Sequence, residues 1–162
     1  MNEPKPIDVY LNDHVAGSVG AIEIAKRCSA ENSGTELGQF LSKFLADIEE
    51  DQHTLEGLME ALGGNQNPFK QAGAWLGEKL SRLKLGTEQK DLSNLLSVEA
   101  LCMGVEGKIC LWRTLRELTG QYGALSGFDF DQLLGRAEGQ KEGLERHRLA
   151  LARTALGSPA TV

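Results

Sequence analysis

The stretch EEDQH at residues 49–53 places a glutamate and a histidine, Glu50 and His53, three positions apart. Residues three apart share one face of a helix, so a carboxylate and an imidazole at this spacing can bind the same metal ion. The chemistry that such a pair supports is metal binding. It requires the shared face to point into the protein, so the direction of that face decides between a metal site and a solvated surface.

The helix that contains this stretch has one apolar stripe, whose centre lies near Ile48 and Leu55. At about 100° per residue, Glu50 lies roughly 135° and His53 roughly 165° from that centre. Both side chains are therefore expected to point outward. Asp51, at about 35° from the centre, is the inward polar residue instead.

Charged side chains of both signs fall on the inward faces of the later helices. Glu99 and Glu106 are seven residues apart and share a face. Cations on the facing helix would oppose a dipositive metal pair and neutralise carboxylates directly. We therefore predict an interior salt-bridge network in which the acids are Asp51, Glu99 and Glu106 and the bases are Arg113, Lys141 and Arg148. The alternative is that some of these long side chains reach solvent at the ends of the helices.

A metal centre is the other interpretation of the same carboxylates. His14 lies near the core edge of the first helix and His147 at the margin of the last helix's stripe, so either could complete a coordination sphere. A lone histidine at such a position is more often a hydrogen-bonded packing residue than a ligand. No metal is favoured, but if one binds, it is iron and its ligands come from Asp51, Glu99, Glu106, His14 and His147.

Apolar residues recur every three or four positions through nearly the whole chain, which predicts an all-α protein. Clusters of Gly, Asn, Pro and Ser divide this pattern into five helices. They are expected at about residues 7–32, 36–62, 68–86, 92–119 and 130–156. Thr35 and Asp129 are the predicted caps of the second and the last helix. Residues 1–157 form a single predicted domain, and residues 158–162 a predicted disordered tail.

The composition restricts the classes of partner. The 162 residues, 41% of them apolar, are expected to fold as one globular unit. A net charge of −6 disfavours nucleic acid, because that affinity comes from neutralising phosphates with Lys and Arg. MNEPKPID lacks the features of a signal peptide, and no apolar run reaches the length of a membrane span. Cys28, Cys102 and Cys110 form no CxxC pair and are expected to be buried thiols of a cytoplasmic protein.

The order of the predicted helices resembles the ferritin-like superfamily: two long helices, a connection with a lesser helix, then a second long pair. The segments YLNDHVAGSVGAIEIAKR and LLSVEALCMGVEGKICLWR are also similar to an uncharacterised bacterial branch of that superfamily. The resemblance covers roughly the whole chain. It implies an antiparallel four-helix bundle with a long crossover that contains an extra helix, and it implies a fold more strongly than a function.

Two functions are compatible with these features. The favoured one is a ferritin-like bundle that has lost its di-iron site and acts through assembly or partner binding, without catalysis. The alternative is a non-haem di-iron carboxylate protein, such as a ferroxidase, an oxidase or an iron-storage protein. A homodimer is considered because Gly135, Gly139 and Gly143 repeat every four residues on the last helix. The competing expectation is that helix 68–86 covers the glycine-bearing side of the last helix and the second apolar side of the fourth helix. It could do so on its own bundle or on another subunit.

Overall fold

The computed structural model describes residues 3, 5–64 and 89–157, and these residues form four α-helices and no β-strand. The helices are α1 (Pro6–Glu31), α2 (Glu36–Ala61), α3 (Lys90–Glu117) and α4 (Phe130–Leu156). Two short 3₁₀ helices, Leu118–Gly120 and Gly123–Gly127, lie between α3 and α4. The all-α class is confirmed. The predicted helix at 68–86 and the predicted tail at 158–162 lie outside the described residues.

A tight turn that the sequence encodes locally joins α1 to α2. Gly34 has a φ of +80°, a backbone conformation in which glycine avoids the strain of a side chain. Thr35 then caps α2, because its Oγ1 accepts a hydrogen bond of 3.1 Å from the backbone N–H of Gly38. The predicted cap of α2 is therefore confirmed.

The predicted cap at Asp129 also begins α4, because its Oδ1 accepts a hydrogen bond of 3.0 Å from the backbone N–H of Gln132. α4 ends at Leu156, as predicted. α3 begins at Lys90 rather than at residue 92, and its last turn tightens into the 3₁₀ helix Leu118–Gly120. Differences of this size are usual at helix ends, where the terminal turns change their hydrogen-bonding pattern.

One hydrophobic core unites the four helices. α1 packs against α2 and α3, α3 packs extensively against α4, and the contact between α2 and α4 is much smaller. Trp112 of α3 is the largest fully buried side chain in the described part of the chain, and each helix adds fully buried leucines, among them Leu11, Leu41, Leu101 and Leu144. Burying such side chains contributes about 1.5–3 kcal/mol each. Within the described ranges, no helix has both the length and the apolarity that crossing a membrane requires.

Candidate functional site

The Glu50 and His53 pair lies on the outer surface of α2. Both side chains are exposed, and Nδ1 of His53 lies 2.8 Å from the backbone oxygen of Glu49, one turn earlier. Glu50 instead contacts Arg136 of α4, at 2.8 Å. The outward direction predicted for both residues is confirmed, and each side chain contacts a different neighbour.

A buried ion cluster, formed by Asp51, Lys108, Arg136 and Gln140, joins α2, α3 and α4. Asp51 is only 3% exposed. Lys108 Nζ donates hydrogen bonds of 2.5 Å to Oδ2 of Asp51 and to Oε1 of Gln140. Arg136 Nη2 lies 2.6 Å from Oδ1 of Asp51, as an ion pair without hydrogen-bond alignment. The inward direction predicted for Asp51 is confirmed, and its carboxylate meets cations from two other helices.

The two cations of the ion cluster meet at the buried carboxylate of Asp51. Lys108 and Arg136 both pair with Asp51, which is buried, and the carboxylate of Asp47 also raises the pKa of Lys108. Glu50, the second partner of Arg136, has a side chain that is 68% exposed, so water screens its charge. Burial lowers the pKa of Lys108, although Asp51 acts in the opposite direction. The positive charge of Lys108 is therefore costly to keep inside the protein.

Three N–H donors at or beside the ion cluster have no hydrogen-bond partner among the described residues. They are Nε1 of Trp112, Nε of Arg136 and Nε2 of Gln140. Trp112 lies one helical turn after Lys108 on α3. An unpaired donor removed from water costs about 1–3 kcal/mol, so such groups are rare in folded proteins. Oδ1 of Asp51, an acceptor, also has no hydrogen-bond partner there, so hydrogen bonding in this part of the interior is incomplete.

A groove with a volume of about 590 Å³ is lined by α1, α2 and α3. Its lining is mainly apolar and includes Ile24, Ile48 and Leu55. Gly17 of α1 and Gly107 of α3 also line it, and a Cβ added to either glycine would meet no atom within 4 Å. These glycines therefore widen the groove, because a larger side chain at either position would extend into open space.

The groove reaches the ion cluster. Asp51, Lys108 and Trp112 all belong to its lining. Gln52 also lines it and donates a hydrogen bond of 2.9 Å to Oγ of Ser18. A mainly apolar cavity of about 300–1,000 Å³ with a few convergent polar groups is the usual form of a small-molecule site. The groove, with the ion cluster as its polar part, is therefore the candidate functional site.

The other members of the predicted interior network form ion pairs between α3 and α4. The pairs join Glu99 to Arg148 at 3.5 Å, Glu106 to Lys141, and Arg113 to Glu138 at 3.1 Å. Glu106, Arg113 and Lys141 are exposed, so their predicted interior position is wrong. Glu99 and Arg148 are half-buried. Acids and bases do pair across the two helices, but they do so largely at the surface, where water screens them.

The ligand set of the alternative metal centre is not brought together. His14 packs edge-on against Tyr10, with ring centroids 4.7 Å apart, and His147 packs on Phe40 at 4.6 Å. Burial lowers the pKa of both histidines. Among the residues that the structure describes, no group of three or more His, Cys, Asp or Glu side chains is arranged to hold a metal ion. Asp51 is bound by two cations, so these residues do not fit an iron centre.

The sequence prediction omits Lys108 and Arg136, the two cations that bind Asp51. Lys108 stands between the buried residues Val105 and Trp112, three positions from one and four from the other. That spacing places it on a buried face of α3 and is the signal that could have identified it. Arg136 offers a weaker signal, because a long side chain can reach the interior from the edge of a helix's apolar stripe.

A second buried polar cluster, formed by Asn32, Asn94 and Cys28, is neutral and joins the end of α1 to the start of α3. The two asparagines exchange hydrogen bonds of 2.9 Å, each donating from Nδ2 to the other's Oδ1. Asn32 Nδ2 also donates to the backbone oxygen of Cys28, at 2.8 Å. Burial raises the pKa of the Cys28 thiol to about 11. Cys28 is buried as predicted, but Cys110 is exposed, so the prediction of three buried thiols is wrong there.

Comparison with known proteins adds no family to these observations. No family model matches the chain, and neither does any curated protein or solved structure. The function has to be inferred from the groove and the ion cluster themselves.

Proposed function

We propose that this protein is a metal-free helical bundle that acts through binding, and that the groove lined by α1, α2 and α3 takes a small apolar molecule. The observation that carries the proposal is the groove of about 590 Å³, because its lining is mainly apolar and its buried charged groups are Asp51 and Lys108. The chain is proposed to be a binding protein rather than an enzyme.

The proposed bundle is antiparallel, with the connectivity of the ferritin-like superfamily. In each pair of packed helices, residue numbers rise along one helix as they fall along the other. Between α1 and α2, Ser18 contacts Gln52 and Lys26 contacts Glu49. Between α1 and α3, Arg27 contacts Ser97 and Glu31 contacts Lys90. Between α3 and α4, Glu99 contacts Arg148 and Arg113 contacts Glu138. With α1 opposed to both α2 and α3, these two helices run in the same direction. Joining them takes one crossover along the bundle, which is typical of ferritin-like proteins.

The metal-free part of the proposal is supported by the ion cluster, because Lys108 and Arg136 would repel a divalent cation at Asp51. The test is elemental analysis of protein purified without a histidine tag, incubated anaerobically with ferrous iron and then freed of excess metal. We expect no retained iron. Near-stoichiometric iron would overturn the proposal and favour the non-haem di-iron alternative, with ligands from Asp51, Glu99, Glu106, His14 and His147.

Binding in the groove can be measured with N-phenyl-1-naphthylamine, an uncharged dye whose fluorescence rises in apolar surroundings. We expect a saturable increase with the wild-type protein. Gly17→Leu and Gly107→Leu would each direct a side chain into the open space of the groove and abolish the increase. Gly135→Leu is the matched control, because Gly135 is exposed on α4, meets open space and lies outside the groove lining.

All three substitutions exchange a helical glycine for a good helix former, which favours the helix by up to about 1 kcal/mol. Thermal unfolding curves of the variants would therefore separate loss of binding from loss of fold. Failure of the wild-type protein to bind the dye would overturn the proposal. That result is expected if residues 65–88 or a second copy of this chain occupies the groove, and the mass in solution distinguishes the two. The homodimer stays a prediction until that mass is measured.

A cytoplasmic location belongs to the same proposal. The three cysteines are free thiols, which suits a reducing compartment. Cys110 is exposed and would be open to oxidation elsewhere.

A further inference from the structure

We propose that the groove binds a monocarboxylate with an unbranched alkyl chain, its carboxylate beside Lys108 and Trp112 and its chain against the apolar walls. This inference rests on the proposed function, because it names the chemical class of molecule that the same groove takes. Two independent observations carry it. One is the cation of Lys108, whose side chain is only 14% exposed, and the other is the unpaired indole N–H of Trp112, and both residues line the groove.

The charge of Lys108 favours an anion on the groove side. Lys108 and Arg136 share one buried carboxylate, that of Asp51. Glu50 balances Arg136 from the solvent side and does not line the groove. Lys108 also donates a hydrogen bond to the neutral amide oxygen of Gln140. A ligand carboxylate would give Lys108 a second anionic acceptor, on the groove side.

The unpaired indole N–H of Trp112 favours a head group that accepts hydrogen bonds. Trp112 lines the groove and is 1% exposed, and its indole N–H has no partner among the described residues. An indole N–H can only donate, whereas a carboxylate can accept from it and from Lys108 at the same time. An alcohol accepts more weakly because it carries no charge. An alkylammonium would add donors and place a second cation beside Lys108.

Two further carboxylates line the groove, but they lie towards solvent. Asp13 is exposed, and the side chain of Glu99 is 42% exposed and pairs with Arg148. Water therefore screens their charges. The side chain of Lys108 is only 14% exposed, so its charge acts more strongly on a head group inside the groove.

The walls of the groove suit an alkyl chain. Its lining on α3 extends from Leu96 to Trp112, which corresponds to about 24 Å at 1.5 Å per residue. Ala21 and Ile24 of α1 line it opposite, and Met103 is a flexible apolar side chain at its surface. An extended chain can therefore lie along the groove while its head group reaches Lys108.

Competition against N-phenyl-1-naphthylamine tests the head group. Decanoate, decan-1-ol and decylamine share one alkyl chain length and differ at one end. We expect decanoate to displace the dye at a concentration about tenfold lower than decylamine, with decan-1-ol between them, because a charge-assisted hydrogen bond changes affinity by about that factor.

Two variants localise the carboxylate. Lys108→Met keeps most of the side-chain length without the charge, and Trp112→Phe removes an N–H that has no partner among the described residues. Each should weaken decanoate binding about threefold to tenfold and weaken decan-1-ol binding less. Lys141→Met, on the surface of α4, is the control that should leave decanoate binding unchanged. If Lys108→Met does not fold by circular dichroism, Trp112→Phe and the head-group series still decide the result.

The outcomes separate the two proposals. Equal displacement by all three head groups, with dye bound by the wild type and excluded by Gly107→Leu, would overturn the carboxylate inference and leave the groove as an apolar site. A fall in decanoate and decan-1-ol binding by the same factor in both variants would also overturn it. Absence of dye binding by the wild type would overturn the proposed function together with the inference that rests on it.

Discussion

The two buried polar clusters differ in charge and in how completely their atoms are paired. In the neutral cluster, Asn32 and Asn94 exchange two hydrogen bonds of 2.9 Å. In the ion cluster, Lys108 and Arg136 hold Asp51, yet three N–H groups at or beside it have no partner among the described residues. Reciprocal pairing is typical of a contact that fixes two helices. Buried charge with unpaired donors is more often found where a protein meets another molecule.

The clusters also differ in their relation to the groove. Asp51 and Lys108 line it, whereas Asn32 and Asn94 do not. The neutral cluster joins the end of α1 to the start of α3, so it helps to set the separation of two helices that form the groove. Burial of polar atoms alone therefore does not identify a site. Buried charge, an unpaired donor and an adjoining groove together indicate a candidate site.

The largest expected effect comes from removing the negative charge of the ion cluster. Asp51→Asn would leave Lys108 largely buried without its carboxylate partner and Arg136 paired with the exposed Glu50 alone, so the free energy of unfolding should fall by about 3–5 kcal/mol. Urea denaturation measures this change. Glu50→Gln is the matched control on the adjacent residue, because it removes an exposed partner of the same Arg136 and should cost less than about 1 kcal/mol.

Similar losses in Asp51→Asn and Glu50→Gln would contradict this comparison. They would mean that water reaches both carboxylates alike, so that the ion cluster is as well solvated as a surface ion pair. The distinction between a buried charged cluster and the surface pairs of α3 and α4 would then disappear.

Much of the helical structure could be predicted from the sequence, because its signals are local. The caps at Thr35 and Asp129 and the inward direction of Asp51 follow from single residues and from the 3.6-residue period. The partners of Asp51 could not be predicted in the same way. Lys108 and Arg136 lie on other helices, and their contact depends on how three helices pack against one another.

The position of the predicted salt-bridge network could not be derived from local sequence signals either. Glu106 and Lys141 pair, as opposite charges on adjacent helices do, but the α3–α4 contact leaves both side chains exposed. A helix with apolar residues on two sides has no single stripe centre, so its period does not determine which polar residue is buried. The groove is likewise a property of packing, because it lies between α1 and α3 where Gly17 and Gly107 carry no side chain.

A smaller loss is expected when the neutral cluster is broken. Asn94→Leu would remove both hydrogen bonds with Asn32 and leave part of the buried amide of Asn32 unpaired. The free energy of unfolding should therefore fall by about 1–3 kcal/mol. Asn32→Leu combined with Asn94→Leu removes the polar groups from both sides. A double-mutant cycle should therefore give a loss smaller than the sum of the two single losses. Additive losses would show that the amides do not depend on each other.

Lys108→Met should lower the free energy of unfolding by about 1 kcal/mol, which is less than the loss expected for Asp51→Asn or for Asn94→Leu. Arg136 still neutralises Asp51 in this variant, and the loss of the Lys108 hydrogen bonds is partly offset because no ammonium has to be buried. Lys141→Met is the matched control, since it removes an exposed lysine from the pair with Glu106, and its unfolding curve should match that of the wild type. A loss at Lys108 as large as that at Asp51 would show that Arg136 alone does not balance the carboxylate.

The smallest effect is a change in the pH dependence of stability. Burial lowers the pKa of Lys108 in the folded protein, partly opposed by Asp51 and Asp47, whereas in the unfolded chain the value is about 10.5. Between the lowered pKa and 10.5, the unfolded state binds more protons than the folded state, so the free energy of unfolding contributed by Lys108 rises with pH. Urea denaturation of the wild type and of Lys108→Met across the alkaline range should therefore show the wild type gaining stability relative to the variant. Parallel curves would mean that Lys108 keeps its ordinary pKa inside the protein, and the ion cluster would then differ from the neutral cluster in charge without any penalty for burying it.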